Sequence, residues 1–289
     1  MSEKIDSAIK WAIDRCAGVS DTPKLDAELL LSYCLRKPRS YLYSWPEQQL
    51  EPADWKCFQA LIDKRLLPTP VAYLLGEREF YSLTLKTSSA TLIPRPETET
   101  LVDSAISLVP SDSAPDLLEL GTGTGAIAIA LKLHRPGINI VATDIRADCL
   151  DIARQNAVAH SVTIDWIQSD WYSQIEISRK FEMIVSNPPY IPAMHPCLES
   201  GDLRAEPRDA LSPGETGLEA LQRIIAGAPT YLKPGGYLLL EHGFDQHEEV
   251  KDLMQEQNFI DISCKLDLNR LPRVSLARKI RINKGALWS

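Results

Sequence analysis

The sequence predicts an α/β protein: a doubly wound, mainly parallel sheet preceded by a small N-terminal helical bundle and joined to it by a β-hairpin. Three observations predict this. Strand-like and helix-like patterns alternate from residue 114 onward, as successive βαβ units require. Gly121-Thr122-Gly123-Thr124-Gly125 stands between a strand pattern and a helix pattern. The apolar run from Phe181 ends in Asn187-Pro188-Pro189-Tyr190, where two prolines must stop a strand, since neither donates a ladder hydrogen bond.

At 289 residues the chain can build one large domain and a small one, and its 44% hydrophobic and 24% charged content suits a core that needs no staples. A net charge of -8 leaves no broad cationic footprint, so tight binding to naked duplex is disfavoured. Six scattered cysteines without a Cys-x-x-Cys pair read as reduced thiols. The first residues carry no signal-peptide core, and no apolar run approaches ~20 residues. A cytoplasmic protein with no membrane span is expected.

Residues 5–67 place apolar side chains at three- and four-residue steps, a helical period. Ile5, Ala8, Ile9, Ala12 and Ile13 form one stripe, and Leu25, Leu29, Leu30, Leu31 and Leu35 another. Thr22-Pro23 reads as a capped helix start. A further helix over 53–65 carries Trp55, Phe58, Leu61 and Ile62. The acids and bases here are spaced as solvated faces, so this bundle is expected to recognise or support rather than to catalyse. Alternation over 79–87 predicts a strand, with 91–93 as its hairpin partner. Pro94-Arg95-Pro96-Glu97-Thr98-Glu99 is a proline-pinned turn opening a helix with acids in its first turn. Strands follow at 116–120, 138–143, 162–168, 181–187, 237–241, 260–266 and 274–282. Helices fall at 126–134, 147–160, 216–232 and 246–257, and Lys233-Pro234-Gly235-Gly236 reads as a turn. The expected domains are 1–75, helical; 76–95, the hairpin; and 96–289, the α/β domain.

The glycine turn lets a backbone approach a ligand closely. Gly121 to Ala126 also fits a dinucleotide fingerprint, with Asp144 lying 21 residues beyond Gly123 and suited to an NAD ribose. A nucleotide-bearing ligand is the modest expectation. Two features favour S-adenosyl-L-methionine: Glu119, an acid suited to orienting the methionine end, and the tip of the 181–187 strand. Asp144 would accept from both ribose hydroxyls, and Asp170 and Trp171 would lie near the adenine. Thr122 and Thr124 complete the turn.

At that tip Asn187 would project a carboxamide, Pro188 a bare carbonyl and Tyr190 an aromatic wall, with Pro189 stiffening the loop. Two acceptors and a ring suit a planar NH2 group. His242 and His247 are not spaced as metal ligands with any cysteine, and no metal is expected.

Taken together, Pro94 to Glu99, Leu118-Glu119-Leu120-Gly121-Thr122-Gly123-Thr124-Gly125, Asn187-Pro188-Pro189-Tyr190 and Leu240-Glu241-His242-Gly243-x-x-Gln246 resemble the PrmC (HemK) family over nearly the whole chain, including Pro70 to Gly76. The resemblance implies a class I, Rossmann-like, S-adenosylmethionine-dependent protein-glutamine N5-methyltransferase. Its substrate would be the Gly-Gly-Gln glutamine of class I peptide chain release factors, with S-adenosyl-L-homocysteine as product. It also implies cofactor contacts at Gly121 to Gly125, Asp144, Trp171 and Asn187, and a substrate-amide grip from Asn187 to Tyr190. Two segments depart from the family pattern: Pro213-Gly214-Glu215-Thr216-Gly217-Leu218, where Gly-Gly-x-Asp-Gly-Leu is frequent, and 267–273, which lacks a frequent glycine. Both are expected outside the methyl-transfer centre.

Three other readings compete. An adenine-N6 or guanine-N2 nucleic-acid methyltransferase would use the same grip on a flipped base, but the acidic chain lacks a basic arm. A non-enzymatic helical adaptor would have no use for the four tip residues. An NAD oxidoreductase would need an acid/base pair beside the glycine turn. A monomer without stable nucleic-acid binding is expected.

Overall fold

The computed structural model describes residues 3–67, 69–110 and 113–281, which divide into two compact units. Unit 1 comprises Met1–Arg78 with Pro196–Glu206, and unit 2 comprises Glu79–His195 with Pro207–Ser289. Among the described residues no helix is long and apolar enough to cross a membrane.

Unit 1 is built from α1 (Ile5–Cys16), α2 (Pro23–Leu35), α3 (Arg39–Ser44), α4 (Pro52–Leu66) and α5 (Val71–Leu75). Its core joins the stripes of α1, α2 and α4 through Ile5, Ala8, Leu30, Leu31, Phe58 and Ile62, while Trp11 meets Trp55 edge-on at 4.9 Å. The charges are not all solvated. Arg65 and Asp26 are both buried and paired at 2.7 Å, and Arg65 also reaches Asp202 at 2.9 Å. A buried carboxylate needs every lone pair filled, so Asp26 recruits the Thr22 hydroxyl at 3.2 Å. Thr22 accordingly stands before α2 without capping its backbone.

In the hairpin, β1 (Glu77–Phe80) pairs with β2 (Leu83–Lys86). Residues 91–93, expected as the partner strand, form none. The turn is only Tyr81-Ser82, both left-handed at φ 51 and 61, the geometry of a two-residue hairpin usually supplied by Asn or Gly. Part of what makes it tenable is external: Glu99 accepts the Tyr81 N–H at 2.8 Å. The sequence carries no turn residue there to reveal it.

The main sheet holds β3 (Asp116–Leu120), β4 (Asn139–Asp144), β5 (Asp165–Gln168), β6 (Phe181–Ser186), β7 (Leu232–Glu241), β8 (Phe259–Leu266) and β9 (Pro272–Lys279) in the order β5-β4-β3-β6-β7-β9-β8. All pairs are parallel except those made by β9. The helices α6 (Glu99–Leu108), α7 (Ala126–His134), α8 (Ala147–Ala159), α9 (Arg208–Leu211), α10 (Glu219–Tyr231) and α11 (His247–Glu256) complete the unit. Central strands are mostly apolar because both faces are covered. Leu117, Met183, Val185 and Leu239 pack with α6 and α7, while Leu118, Ile184, Leu238 and Leu240 pack with α10 and α11. The expected turn at 233–236 is instead carried inside β7, with a register shift against β6 between Phe181 and Met183. The expected final residue of the last strand, Ile282, lies outside the described residues.

Candidate active site

The chain runs from β3 through α7 to β4 on one side, and β6 joins β3 on the other. This is the topological switch point, where an open parallel sheet parts its loops. Leu120 and Ser186 are register partners, and the Ser186 hydroxyl donates to the Leu120 carbonyl at 2.7 Å. The glycine turn and the Asn-Pro-Pro-Tyr loop therefore leave the sheet side by side.

Between them lies a cavity of about 460 Å³, within the range of small-molecule and cofactor sites. Its wall includes Gly121, Thr122, Gly123, Thr124, Asp144, Asp170, Trp171, Asn187 and Pro189. Glu119, Gly125, Pro188 and Tyr190 are absent from that wall. The first two glycines take φ 70 and 54, and a Cβ at Gly123 would meet no protein atom within 4 Å. The open side is the one a ligand would fill. Gly125 serves packing instead: at φ 81, a Cβ would stand 3.1 Å from Ala153 and Ile129 and 3.2 Å from Trp166. Gly125→Ala is expected to cost roughly 2 to 4 kcal/mol from left-handed strain and overpacking, read as a lower urea midpoint. An unchanged midpoint would show that the helix can move aside.

Asp144 is nearly buried at the end of β4. Its Oδ2 accepts the Gly123 N–H at 2.9 Å and its Oδ1 the Arg146 N–H at 3.0 Å, so it holds the turn while lining the cavity. Burial raises its pKa, opposed by these two donors. Trp171, at φ 51, lies near Gly121, and Asp170 takes a bond from Arg223 at 2.8 Å. Glu119 sits behind the turn, fully buried; its Oε2 accepts from the Thr122 hydroxyl at 2.8 Å and its Oε1 has no hydrogen-bond partner among the described residues. Desolvation pushes its pKa up to about 8. Asn156, also buried, donates to the Thr124 carbonyl at 2.9 Å and binds Lys86 through both amide ends, fastening the glycine turn to the hairpin.

At the other tip, the Asn187 Nδ2 donates to the Thr98 hydroxyl at 3.0 Å. With its nitrogen committed to Thr98, the amide has Oδ1 left as an acceptor at the cavity wall. Tyr190 lies outside the wall, because its phenol turns away to donate to Glu241 at 3.3 Å; burial raises its pKa strongly. Gln246 clamps the loop, donating to the Tyr190 carbonyl at 2.9 Å while accepting the Gly243 N–H at 2.8 Å. A Cβ on Gly217 would fall 2.5 Å from the same Tyr190 carbonyl.

Several wall residues carry no sequence signal: Ile145, Arg146, Ser212 and Arg223. Of the departure at 213–218, Pro213 borders the cavity. In the other departure, Arg270 supplies the left-handed residue at φ 61, and Asp267 fixes the turn by accepting the Asn269 and Leu271 N–H groups. The histidine expectation also needs correction. The ligand-type atoms of His242, His247 and Cys264 all lie within 4.8 Å of one another, since β7, α11 and β8 converge there. The Ser275 hydroxyl is their common neighbour, 2.9 Å from His242 Nε2 and 3.3 Å from His247 Nδ1.

A seven-stranded sheet of this order, with a cavity at its switch point, has the fold of a 16S rRNA methyltransferase of Thermus thermophilus solved with AdoMet and guanosine; the TM-score is 0.52 at 18% identity, covering 70% of this chain and 49% of that one. Residues 101–197 match the methyltransferase small domain, and the class defined is a Rossmann-like methyltransferase. Residues 7–76 match the PrmC N-terminal domain. The release factor glutamine methyltransferase of Aliivibrio fischeri is 41% identical over 96% of this chain and 98% of its own, and that of Shewanella oneidensis is 42% identical over 95% and 96%. The chain belongs to the release factor glutamine methyltransferase family.

Proposed function

We propose that this enzyme methylates the side-chain nitrogen, N5, of the glutamine in the Gly-Gly-Gln motif of class I peptide chain release factors, using S-adenosyl-L-methionine. The observation that carries the reading is the Asn187 carboxamide, oriented by Thr98 so that Oδ1 is left to accept at the cavity. The site fits the cofactor: the Gly123 side of the turn is open, and the carboxylate of Asp144 at the end of β4 lines the cavity. Gly121 to Thr124 would pass along it, Asp144 would take its ribose hydroxyls, and Asp170 and Trp171 would lie near its adenine, with Glu119 acting on the methionine end through Thr122. Bound there, it supplies an electrophilic methyl on a sulfonium.

The chain's own task is to make an amide nitrogen reactive. Its lone pair is delocalised into the carbonyl, so it must be aimed and loaded with electron density. Asn187 Oδ1 and the Pro188 carbonyl would each accept one N–H, fixing the approach and stabilising positive charge as it develops on nitrogen. Pro189 keeps the loop stiff. Tyr190 acts by anchoring, through Glu241 and Gln246, rather than as a wall. The alkylated nitrogen is acidic enough to release its proton to water, so no general base and no metal is needed. The helical region 1–75 would recognise the protein substrate, with 76–95 as hairpin and 96–289 as the transferase domain. The net charge of -8 supports a protein substrate over a nucleic acid, and we place the monomeric chain in the cytoplasm.

The test is transfer of labelled methyl from S-adenosyl-L-methionine to a purified class I release factor, with peptide mass spectrometry. One added methyl on the Gly-Gly-Gln peptide is expected. Label on RNA or DNA, with none on the release factor, would overturn the reading.

A further inference from the structure

We propose that His242, His247 and Cys264 form a zinc site that ties β7, α11 and β8 together outside the methyl-transfer cavity. None of the three borders that cavity, so the ion would brace the fold and take no part in the chemistry.

The sheet brings the three residues to one place. Cys264 on β8 and Ser275 on β9 are register partners, as are Ser275 and Leu240 on β7, and partners across a sheet project to the same face. Leu240 packs with α10 and α11, so that face is the one α11 covers. His242 follows Leu240 by two positions, which returns it to this face, and His247 is the first residue of α11. The two imidazoles lie nearly parallel, with centroids 6.0 Å apart and planes inclined by 20°. One nitrogen from each ring and the Cys264 Sγ all lie within 4.8 Å of one another, and no other such group of three occurs among the described residues.

The lone pairs are aimed as well as gathered. The Gly243 carbonyl can only accept, so its 2.8 Å contact places the His242 proton on Nδ1. That leaves the Nε2 lone pair facing the Ser275 hydroxyl at 2.9 Å; a backbone carbonyl on the far nitrogen is the usual means of orienting a metal-binding imidazole. His247 turns Nδ1 to the same hydroxyl at 3.3 Å. The Cys264 thiol makes a long contact of 3.5 Å to the Lys265 carbonyl, so little is lost when its proton passes to solvent and the thiolate bonds the ion. Two imidazoles and a thiolate select zinc over magnesium or calcium, which take oxygen ligands. Tetrahedral zinc holds such atoms about 3.3 to 3.6 Å apart, so the cluster would close by about 1.5 Å at its widest, with the Ser275 hydroxyl or a water as fourth ligand. Arg273 donates to the His242 carbonyl at 3.2 Å, but its charge is matched by Asp267 at 3.1 Å. Ser275 and His242 are fully buried, which keeps a substrate from that hydroxyl, whereas an ion can enter past the partly exposed His247 and Cys264.

The experiment titrates the chelator-treated full chain, without S-adenosyl-L-methionine, first with Co2+ and then with Zn2+. A single cobalt ion per chain should bind with the strong visible bands of a tetrahedral site and a near-ultraviolet thiolate-to-cobalt band, and zinc should displace it. Cys264→Ser should abolish the thiolate band, and His247→Ala should weaken zinc binding by about tenfold or more. Zinc should raise the urea midpoint of the wild type and leave that of Cys264→Ser unchanged. The other close thiol pair, Cys34 and Cys57 at 2.9 Å, provides the control: Cys57→Ser should keep every wild-type signal. A wild type with no thiolate band, a band that survives in Cys264→Ser, or a band lost in Cys57→Ser overturns the inference. Should Cys264→Ser fail to fold, His247→Ala carries the test, and zinc affinity equal to wild type in that variant overturns it.

Discussion

Asn187→Ala is expected to lower turnover at least tenfold, about 1.4 kcal/mol or more in the barrier, while changing cofactor affinity far less. The asymmetry follows from the geometry. Asn187 is one of many groups in the cavity wall, so the nucleotide loses little with its side chain. The reacting nitrogen would lose one of two acceptors whose interaction strengthens only as charge develops, which is the condition for an effect on the rate rather than on binding. The deletion also frees the Thr98 hydroxyl from its Asn187 partner, but leaves the Ser186 to Leu120 bond that aligns the two loops. Paired measurements of single-turnover rate and cofactor Kd check it. Equal losses in both would point to collapse of the loop, and an unchanged rate would show the grip to be misassigned.

The sequence made the scaffold of this site legible, for identifiable physical reasons. Three closely spaced glycines between an apolar strand and an apolar helix have few uses besides a tight turn, and two prolines leave a strand no way to continue. The roles within the turn were less legible, because Gly123 and Gly125 look alike in a string of letters; only the neighbours of a hypothetical Cβ show that one has open space and the other a helix contact. Tyr190 reads as a wall because the sequence cannot say which way a ring points, and Glu241, buried 51 positions away, is what turns it. Long-range convergence was invisible for the same reason. Thr98 meets Asn187 across 89 positions, Asn156 meets the hairpin across 70, and His242, His247 and Cys264 meet although their spacing follows no ligand pattern. Asp26 and Arg65 look like surface charges until the bundle buries them against each other. The segment 196–206, counted with the helical unit, breaks the simple order of one domain after another, and nothing in its composition announces that.

Glu119→Gln should flatten much of the dependence of stability on pH. In the folded protein burial pushes the Glu119 carboxyl up to about 8, from an ordinary carboxyl value of 4.5, because desolvation penalises the charge more than the Thr122 hydroxyl and the Ala128 backbone can offset. Between those two values the native state holds a proton that the unfolded chain has released. Stability from this group is therefore fully present below the unfolded value and drains away as pH rises through the native one. At one pKa unit per 1.36 kcal/mol, the loss by pH 8.5 is on the order of 4 kcal/mol. Glutamine, which cannot ionise, removes that slope. Glu241, with a folded value pushed up to about 7, has the same sign over a narrower window, so the single variant keeps a residual slope that the double variant Glu119→Gln, Glu241→Gln should reduce further, leaving the contributions of Asp144, raised, and of His242, lowered and opposite in sign. Urea unfolding of the ligand-free protein at pH 5 and pH 8.5 measures this directly; a wild type equally stable at both would mean that water or a counter-ion reaches Glu119. The same reasoning links the buried acid to the site it backs. A cation bound in the cavity on the far side of Thr122 favours the ionised carboxylate, so a positively charged ligand should stabilise the wild type more at pH 8.5 than at pH 5, and Glu119→Gln should lose most of that increment.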